Sequence, residues 1–224
     1  MRKPSLNTGS RPAPGRERMP RASRELQLLD VALRLFIEHG YQGTSIEDVA
    51  SAAGVTRPII YHHFGSKDGI YLACLRRARA ELDQRMIGAA QASTNPQDRV
   101  LRGIDAYFAF VEDNRDAWAI LFGGGVAVAG PAAAEAARLR SATVQQIAAL
   151  LALTFPQVEK SVLEAFAHSI SGAGEQLAKW WQANPTLRRA ELVQHLMRFA
   201  WGGLQQFNLP ATRAATETAV PSPD

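Results

Sequence analysis

The segment RPIIYHHFGSK at residues 57–67 combines hydrogen-bond donors, an aromatic ring and apolar groups within a short stretch. At helical spacing Ile60 and Phe64 share an inward face. The side chains left outward are those of Arg57, Ile59, Tyr61, His62 and His63. Such a mixture can contact base edges, thymine methyl groups and phosphates. The residue types therefore indicate a candidate nucleic-acid surface.

Two short helices joined by a tight turn would position this surface. Thr44 or Ser45 can cap the first helix by accepting a hydrogen bond from an unpaired backbone N–H. Gly54 can end it, because glycine tolerates the left-handed conformation of a helix stop. Thr56 or Arg57 opens the second helix, with Pro58 in its first turn. The segment 44–68 is thus predicted to form a pair of crossing helices.

The small Ala50, the turn residue Gly54 and the inward Ile60 fit both a helix-turn-helix and an ordinary helical hairpin. The flanking sequence distinguishes the two. Residues 24–72 contain an amphipathic pattern ending LFIEHGY, followed by TS, AGV and IYHHFGSKDGIY. This block resembles the DNA-binding domain of the tetracycline-repressor (TetR) family of bacterial transcription regulators. The resemblance implies a helix-turn-helix whose second helix lies in the major groove.

The resemblance also implies a role for each position. Positions that contact DNA phosphates in the family are occupied here by Thr44, Tyr61 and Lys67. Positions that face bases are occupied by Arg57, Pro58, Ile59 and His62. His63 takes a position that serves either packing or backbone contact in family members, and both Tyr61 and His63 could instead pack on the first helix.

Charge is unevenly distributed along the chain, whose formal net charge is +4. Residues 1–24 hold seven basic residues and one acidic residue, whereas residues 25–68 hold three basic and six acidic residues. The helix-turn-helix is therefore not itself basic. Attraction to phosphate would come from the N-terminal arm, whose Pro, Gly and Ser content predicts disorder. A merely solvated arm is the alternative.

Composition predicts a soluble cytoplasmic protein. The chain has 224 residues, 46% of them hydrophobic, and Cys74 is its single cysteine, which excludes an intramolecular disulfide. We interpret Cys74 as a packing residue rather than a redox sensor. The uncharged segment 117–134 contains three consecutive glycines and a Gly-Pro, which favours a helix ending near Phe122, a loop and a new helix at Pro131 over a membrane span. We expect no membrane association.

The remaining pattern is helical and predicts an all-α fold with nine helices, which matches the usual TetR-family architecture. After the first three, helices are predicted at about 67–92, 96–114, 115–122, 131–154, 156–182 and from 185 or 187 to 207. The predicted organisation is a disordered basic arm (1–20), a helix-turn-helix DNA-binding domain (21–68), an effector-binding and dimerisation domain (69–207) and a disordered tail (208–224).

Two late helices carry patterns typical of a homodimer interface. Small residues keep one helix thin around Gly172, and an apolar stripe follows the last helix. The predicted interface residues are Gly172, Leu192, Leu196, Phe199 and Gly203, although the stripe could equally form intramolecular core. A dimer also follows from function, because paired recognition helices read two half-sites about 34–36 Å apart.

The middle helices are rich in aromatic and small residues. The family resemblance implies that this region encloses a pocket for an unknown small molecule whose binding lowers DNA affinity. The candidate pocket residues are Tyr107, Phe108, Trp118, Phe122, Phe166 and His168. For each aromatic, packed core is the alternative. His168 follows Glu164 by four residues, which would suit a ligand-orienting pair or an ordinary surface pair.

Rival function classes have less support. The histidines lack metal-binding spacing, one cysteine gives no zinc site, and no Gly-x-Ser-x-Gly is present, so we expect no metal, no cofactor and no enzyme activity. A helical ligand carrier would leave the outward face of residues 57–67 unexplained. The sequence predicts a regulator of double-stranded operator DNA, acting as a repressor that a small, largely apolar effector releases.

Overall fold

The computed structural model describes residues 20–123 and 132–208, and these ranges contain nine α-helices and no strand. In chain order the helices are α1 (Arg21–Gly43), α2 (Ile46–Ala52), α3 (Arg57–Phe64), α4 (Lys67–Gln91), α5 (Pro96–Asp113), α6 (Arg115–Phe122), α7 (Ala132–Thr154), α8 (Lys160–Ala183) and α9 (Arg189–Leu204), and a short 3-10 helix follows at Gln205–Asn208. The predicted all-α class is confirmed.

Local signals place the first three helices. Ser45, rather than Thr44, caps α2: its hydroxyl accepts from the Asp48 backbone N–H at 3.1 Å, and the Asp48 carboxylate accepts in return from the Ser45 N–H at 2.8 Å. Gly54 has φ +64°, which a residue with a Cβ adopts only with strain, and it turns the chain into α3. Thr56 precedes α3 and Pro58 lies in its first turn.

Helix α4 connects the helix-turn-helix to the rest of the fold. Ser66 caps it by accepting from the Gly69 N–H at 2.9 Å. Its buried face packs on α1 and α3 at one end and on α5, α6 and α7 along its length. At about 1.5 Å per residue, its 25 residues span nearly 40 Å. One rigid element therefore runs from the N-terminal helices into the larger helical body.

The later helices agree with the prediction in number but begin later than expected. Helix α8 starts at Lys160 rather than Pro156, because Phe155 is fully buried and the chain turns after it, with Val158 N–H donating to the Phe155 carbonyl. Helix α9 starts at Arg189, where Glu191 bonds the Arg188 backbone N–H. The predicted start of α7 at Pro131, the arm (1–19) and the tail (209–224) lie outside the described residues.

Two expectations concerned membrane crossing and the role of the single cysteine. Within the described ranges, no helix combines the length and hydrophobicity that a membrane crossing needs. Cys74 is buried, and burial raises the pKa of its thiol to about 12. The thiol therefore stays protonated, which suits a packing residue.

Candidate functional site

Helix α3 presents an outward row of side chains above a single buried anchor. Ile60 is fully buried and fixes the helix against the core. The residues predicted to face bases, Arg57, Pro58, Ile59 and His62, are all exposed, as is Tyr61 with 51% of its surface accessible. The structure brings these five predicted residues together on one face of a short helix. A major groove admits one α-helix, so a helix with such an exposed face is a candidate for this position.

Arg57 has a partner that sequence reasoning missed. Its Nε lies 2.9 Å from Oε2 of Glu47, which stands in the first turn of α2. Both side chains are more than half exposed, so the pair contributes little to stability. Because the pair is exposed, the guanidinium can exchange this carboxylate for a base edge, and an arginine binds guanine in bidentate contacts.

Lys67 is held at the start of α4 by residues that the sequence did not single out. Its ammonium lies 4.3 Å from the ring centroid of Tyr41, within the range of a cation–π contact. The Tyr41 hydroxyl donates to the Asp68 carboxylate. Burial, followed by this hydrogen bond, raises the pKa of Tyr41 to about 12. Tyr41 therefore positions a cation beside the N-terminus of α4, where anions bind favourably.

Thr44 differs from its predicted role as a phosphate ligand. Its side chain is only 1% exposed, and its hydroxyl oxygen lies 3.0 and 2.8 Å from the carbonyl oxygens of Leu35 and Gly40, which share its single proton. A hydroxyl that is buried and committed to the backbone cannot reach a phosphate. Thr44 instead ties down the chain between α1 and α2.

His63 is also placed away from the outward row. Its side chain is 6% exposed, and Nδ1 lies 3.9 Å from Oε2 of Glu25 on α1. Between the two roles left open by the sequence, this geometry favours packing against α1. His63 is therefore not part of the outward surface.

The larger helical body contains a partly open cavity of about 260 Å³ between α4, α5, α7 and α8, with Phe122 of α6 and Leu196 of α9 also in its wall. Its wall is largely aliphatic and includes Met86, Ile104, Ile147, Leu150, Ile170 and Leu196. The polar residues of the lining are Gln91, Arg99, Tyr107, Thr143, Thr154 and Ser171. A concave apolar space with a small number of polar groups is the usual form of a small-molecule site.

The aromatic residues predicted for the pocket divide into two groups. Tyr107 and Phe122 line the cavity. The other four, Phe108, Trp118, Phe166 and His168, are not among the residues that line this cavity. Phe108 and Trp118 are buried behind the wall, Phe166 packs on Phe207 with ring centroids 5.2 Å apart, and His168 is exposed on α8. The cavity is shaped mainly by aliphatic side chains, which have no sequence signal distinct from core.

Each of two hydroxyls in the cavity wall accepts a hydrogen bond from a buried donor. Thr143 accepts from Nη1 of Arg79, which is 4% exposed and also binds the Asp83 carboxylate through Nε at 2.8 Å. Burial lowers the pKa of Arg79 to about 10, so it stays charged at neutral pH. Tyr107 accepts from Nε1 of Trp118 at 3.0 Å. Its pKa is raised, chiefly by burial.

The predicted dimer residues also divide. Leu192 and Leu196 are 0% and 2% exposed within one protomer, so they are intramolecular core and the interface prediction is wrong for them. Phe199 is 59% exposed and Gly172 is exposed. A Cβ on Gly203 would come within 2.6 Å of Phe166 Cε1, so this glycine allows α8 and α9 to approach each other within the protomer.

An exposed apolar face remains on α8 and α9. The exposed side chains are those of Val162 and Trp180 on α8, about 27 Å apart along the helix axis, and of Phe199 on α9; Trp180 is 49% exposed. Contiguous exposed apolar patches often mark protein–protein contact sites. We name these three residues the outer α8/α9 face.

Sequence and structure comparisons identify the family. The sequence model described as bacterial regulatory proteins, tetR family, matches residues 28–74, and a tetracyclin repressor-like C-terminal domain matches residues 96–203. A tetR-family transcriptional regulator from Streptomyces coelicolor is 30% identical and has a TM-score of 0.67, with coverage of 84% of this chain and 82% of that one. The chain belongs to the TetR family. It is a transcriptional regulator, and TetR regulators bind operator DNA, typically as dimers.

Other TetR-family relatives differ in the direction of control. The HTH-type transcriptional activator FasR of Mycolicibacterium smegmatis is 28% identical over 208 residues, which cover 91% of this chain and 94% of FasR. The HTH-type transcriptional repressor AcnR of Corynebacterium efficiens is 33% identical over 100 residues, 45% of each chain. A TetR-like regulator from a Rhodococcus species is 27% identical with a TM-score of 0.69, covering 84% of this chain and 99% of that one.

In the parts of the chain that the structure describes, no group of three His, Cys, Asp or Glu side chains could hold a metal ion. The relatives are transcriptional regulators, which are not enzymes.

Proposed function

We propose that this regulator binds double-stranded operator DNA as a homodimer, and that it is a repressor released when a small, largely apolar molecule enters the cavity between α4, α5, α7 and α8. The observation that carries the proposal is the path of α4. The helix begins with Lys67 beside the outward face of α3 and continues to Met86 and Ala90 in the cavity wall.

The path of α4 supplies a physical route for coupling. Met86 lies about 30 Å along the helix axis from Lys67. A helix of this length moves as a rigid element, so a shift of its cavity end changes the position of α3 at the other end. A ligand that prefers one position of α4 therefore changes the affinity for DNA.

The homodimer is supported by the outer α8/α9 face and by the size of the DNA-contacting surface. One α3 helix of eight residues reads only a few base pairs. Two copies related by a two-fold axis read two half-sites, which raises both affinity and specificity.

The DNA-binding part of the proposal is tested by a gel shift with the protein's own upstream DNA and an excess of random duplex as competitor. We expect a shifted complex that survives the competitor. Failure to discriminate own upstream DNA from random DNA would contradict the proposal and would favour a ligand carrier. Catalytic activity in a protein that does not bind DNA would favour an enzyme.

The direction of control is tested with a reporter gene behind the same upstream DNA. If the protein is a repressor, deleting its gene raises reporter expression. Because FasR is named an activator and matches most of this chain, activation is the second candidate. A fall in expression on deletion would establish activation and overturn repression.

Substitutions of Arg57 and Lys67 are expected to weaken DNA binding in different ways. Arg57→Ala should cost about 1–3 kcal/mol of binding free energy at one base pair, because a base contact carries sequence information. Lys67→Ala should weaken binding to all sequences and reduce the salt slope by about one, because a phosphate contact carries none. Fluorescence anisotropy on operator and random duplexes measures both effects.

Arg34→Ala is the matched control, because Arg34 is exposed on α1 and its loss removes the same charge from the same domain. We expect the control to retain base preference. An equal loss on operator and random DNA for Arg57→Ala would contradict the base-reading role.

The N-terminal arm is expected to supply attraction to any duplex. Residues 25–68 have a net charge of −3, whereas deletion of residues 1–20 removes five basic residues and one acidic residue. Each lost phosphate contact lowers the slope of log affinity against log salt by about 0.9. The truncated protein should bind all duplexes more weakly and keep its sequence preference. Identical salt slopes for both proteins would show that helix dipoles suffice.

A further inference from the structure

Four residues in the lining of the cavity carry a hydroxyl group, and two of these hydroxyls accept a hydrogen bond from a buried side chain. These two belong to Thr143 on α7 and Tyr107 on α5. The donor to Thr143 is the buried guanidinium of Arg79, and the donor to Tyr107 is the indole N–H of Trp118. Both donors are themselves buried.

The accepted hydrogen bonds decide what the hydroxyls can do next. A hydroxyl has one proton to donate and two lone pairs that accept. With one lone pair used by Arg79 or Trp118, the proton of each hydroxyl stays available, and no hydrogen bond from either one is found within the described ranges. A buried donor without an acceptor costs free energy, which a bound acceptor would recover.

Arg79 adds an electrostatic preference at Thr143. A cation that donates to a hydroxyl oxygen polarises it, which strengthens the hydrogen bond the hydroxyl donates onward. The effect favours a partner atom with negative partial charge. The aliphatic part of the wall, which includes Ile147, Leu150 and Ile170, offers only apolar contact. Of the other polar residues in the lining, Arg99 and Thr154 already donate to backbone carbonyls.

We propose that the ligand of this cavity is an apolar molecule with a carbonyl-type oxygen, which accepts a hydrogen bond from Thr143, with Tyr107 as the second donor. This inference rests on the proposed ligand-responsive function and specifies its ligand class. A purely hydrocarbon ligand leaves both protons unpaired and binds more weakly. Thr143 and Tyr107 are therefore specificity-determining residues.

The test uses butyrophenone and butylbenzene, which share a ring and an alkyl chain but differ in a carbonyl oxygen. Isothermal titration calorimetry with the full-length protein measures both affinities. We expect butyrophenone to bind about three- to tenfold more tightly, as one net hydrogen bond predicts. Thr143→Val combined with Tyr107→Phe should reduce that preference to about one.

Two further variants keep the result interpretable. Thr143→Ser retains the hydroxyl and should retain the preference for the ketone. Ile147→Val alters the apolar wall and should change both affinities by the same factor. If the double variant does not fold, each single substitution is expected to lose part of the preference.

Several results would overturn the inference: equal binding of the two compounds to the unaltered protein, an unchanged preference in the hydroxyl-deficient variants, or binding of neither compound. The gel shift with unliganded protein is independent of all three. A protein that binds its own upstream DNA but does not distinguish the compounds retains the proposed DNA-binding function and loses this ligand class.

Discussion

The double substitution Trp180→Glu and Phe199→Glu is expected to leave the protein folded but monomeric. The two side chains are 49% and 59% exposed, so a protomer loses little core packing when they are replaced. In a dimer that buries this face, the same substitutions place four carboxylates in an apolar interface without partners. The monomer keeps one recognition helix, so operator affinity should fall about a thousandfold, toward that of random DNA.

Light scattering after gel filtration measures the mass of the variant, and anisotropy measures its operator affinity. Leu26→Glu is the matched control for the mass, because Leu26 is 51% exposed on α1 and lies outside the outer α8/α9 face. The control should retain the dimer mass. An unchanged mass for the double variant would place the interface elsewhere on the molecule.

Leu196→Glu is expected to behave differently, although Leu196 follows the same sequence stripe. Its side chain is 2% exposed within the protomer and lines the cavity wall. Burying a carboxylate there without a partner should unfold the protomer rather than separate two folded ones. Circular dichroism distinguishes these outcomes, since the Trp180 and Phe199 variant should keep its helical spectrum.

The stripe on α9 shows what the sequence could and could not predict about surfaces. Helical periodicity predicted that Leu192, Leu196 and Phe199 belong to an apolar stripe on the last helix. It could not tell which of them faces the protomer's own core, because core and interface use the same residue types. That choice depends on how α8 and α9 cross, which the contact of Gly203 with Phe166 sets.

The outward face of α3 was more predictable because its signals are local. The Ser45 cap, the Gly54 turn and the buried Ile60 depend on residues close in sequence. Thr44 and His63 were less predictable, because their burial depends on packing against α1. Thr44 reaches back nine residues to Leu35.

The cavity was the least predictable part. Its wall combines residues from several helices, and its aliphatic members resemble any packed core. The bond between Arg79 and Thr143 joins positions 64 residues apart, and neither residue belongs to a motif. No spacing rule connects such a pair, whereas the fold brings them together because α7 lies along α4.

Removing the charge of Arg79 is expected to destabilise the protein strongly. Arg79→Met deprives the Asp83 carboxylate of two hydrogen bonds and leaves Thr143 without its donor. Breaking a buried ion pair costs about 3–5 kcal/mol, and the cost here should be about 2–3 kcal/mol because Asp83 is 29% exposed. Urea denaturation should show a lower midpoint with an unchanged slope.

Replacing both partners of the Arg79–Asp83 ion pair tests whether folding alone requires the pair. Arg79→Met with Asp83→Leu removes the charges together, and apolar side chains of similar volume often restore the stability of a buried pair. A double-mutant cycle then gives the interaction free energy of the pair. If the double variant stays as unstable as Arg79→Met, the assignment of the loss to an unpaired Asp83 is wrong. If stability returns, folding alone does not require the ion pair, and its position between α4 and the Thr143 wall of the cavity supplies a functional reason for a buried charge.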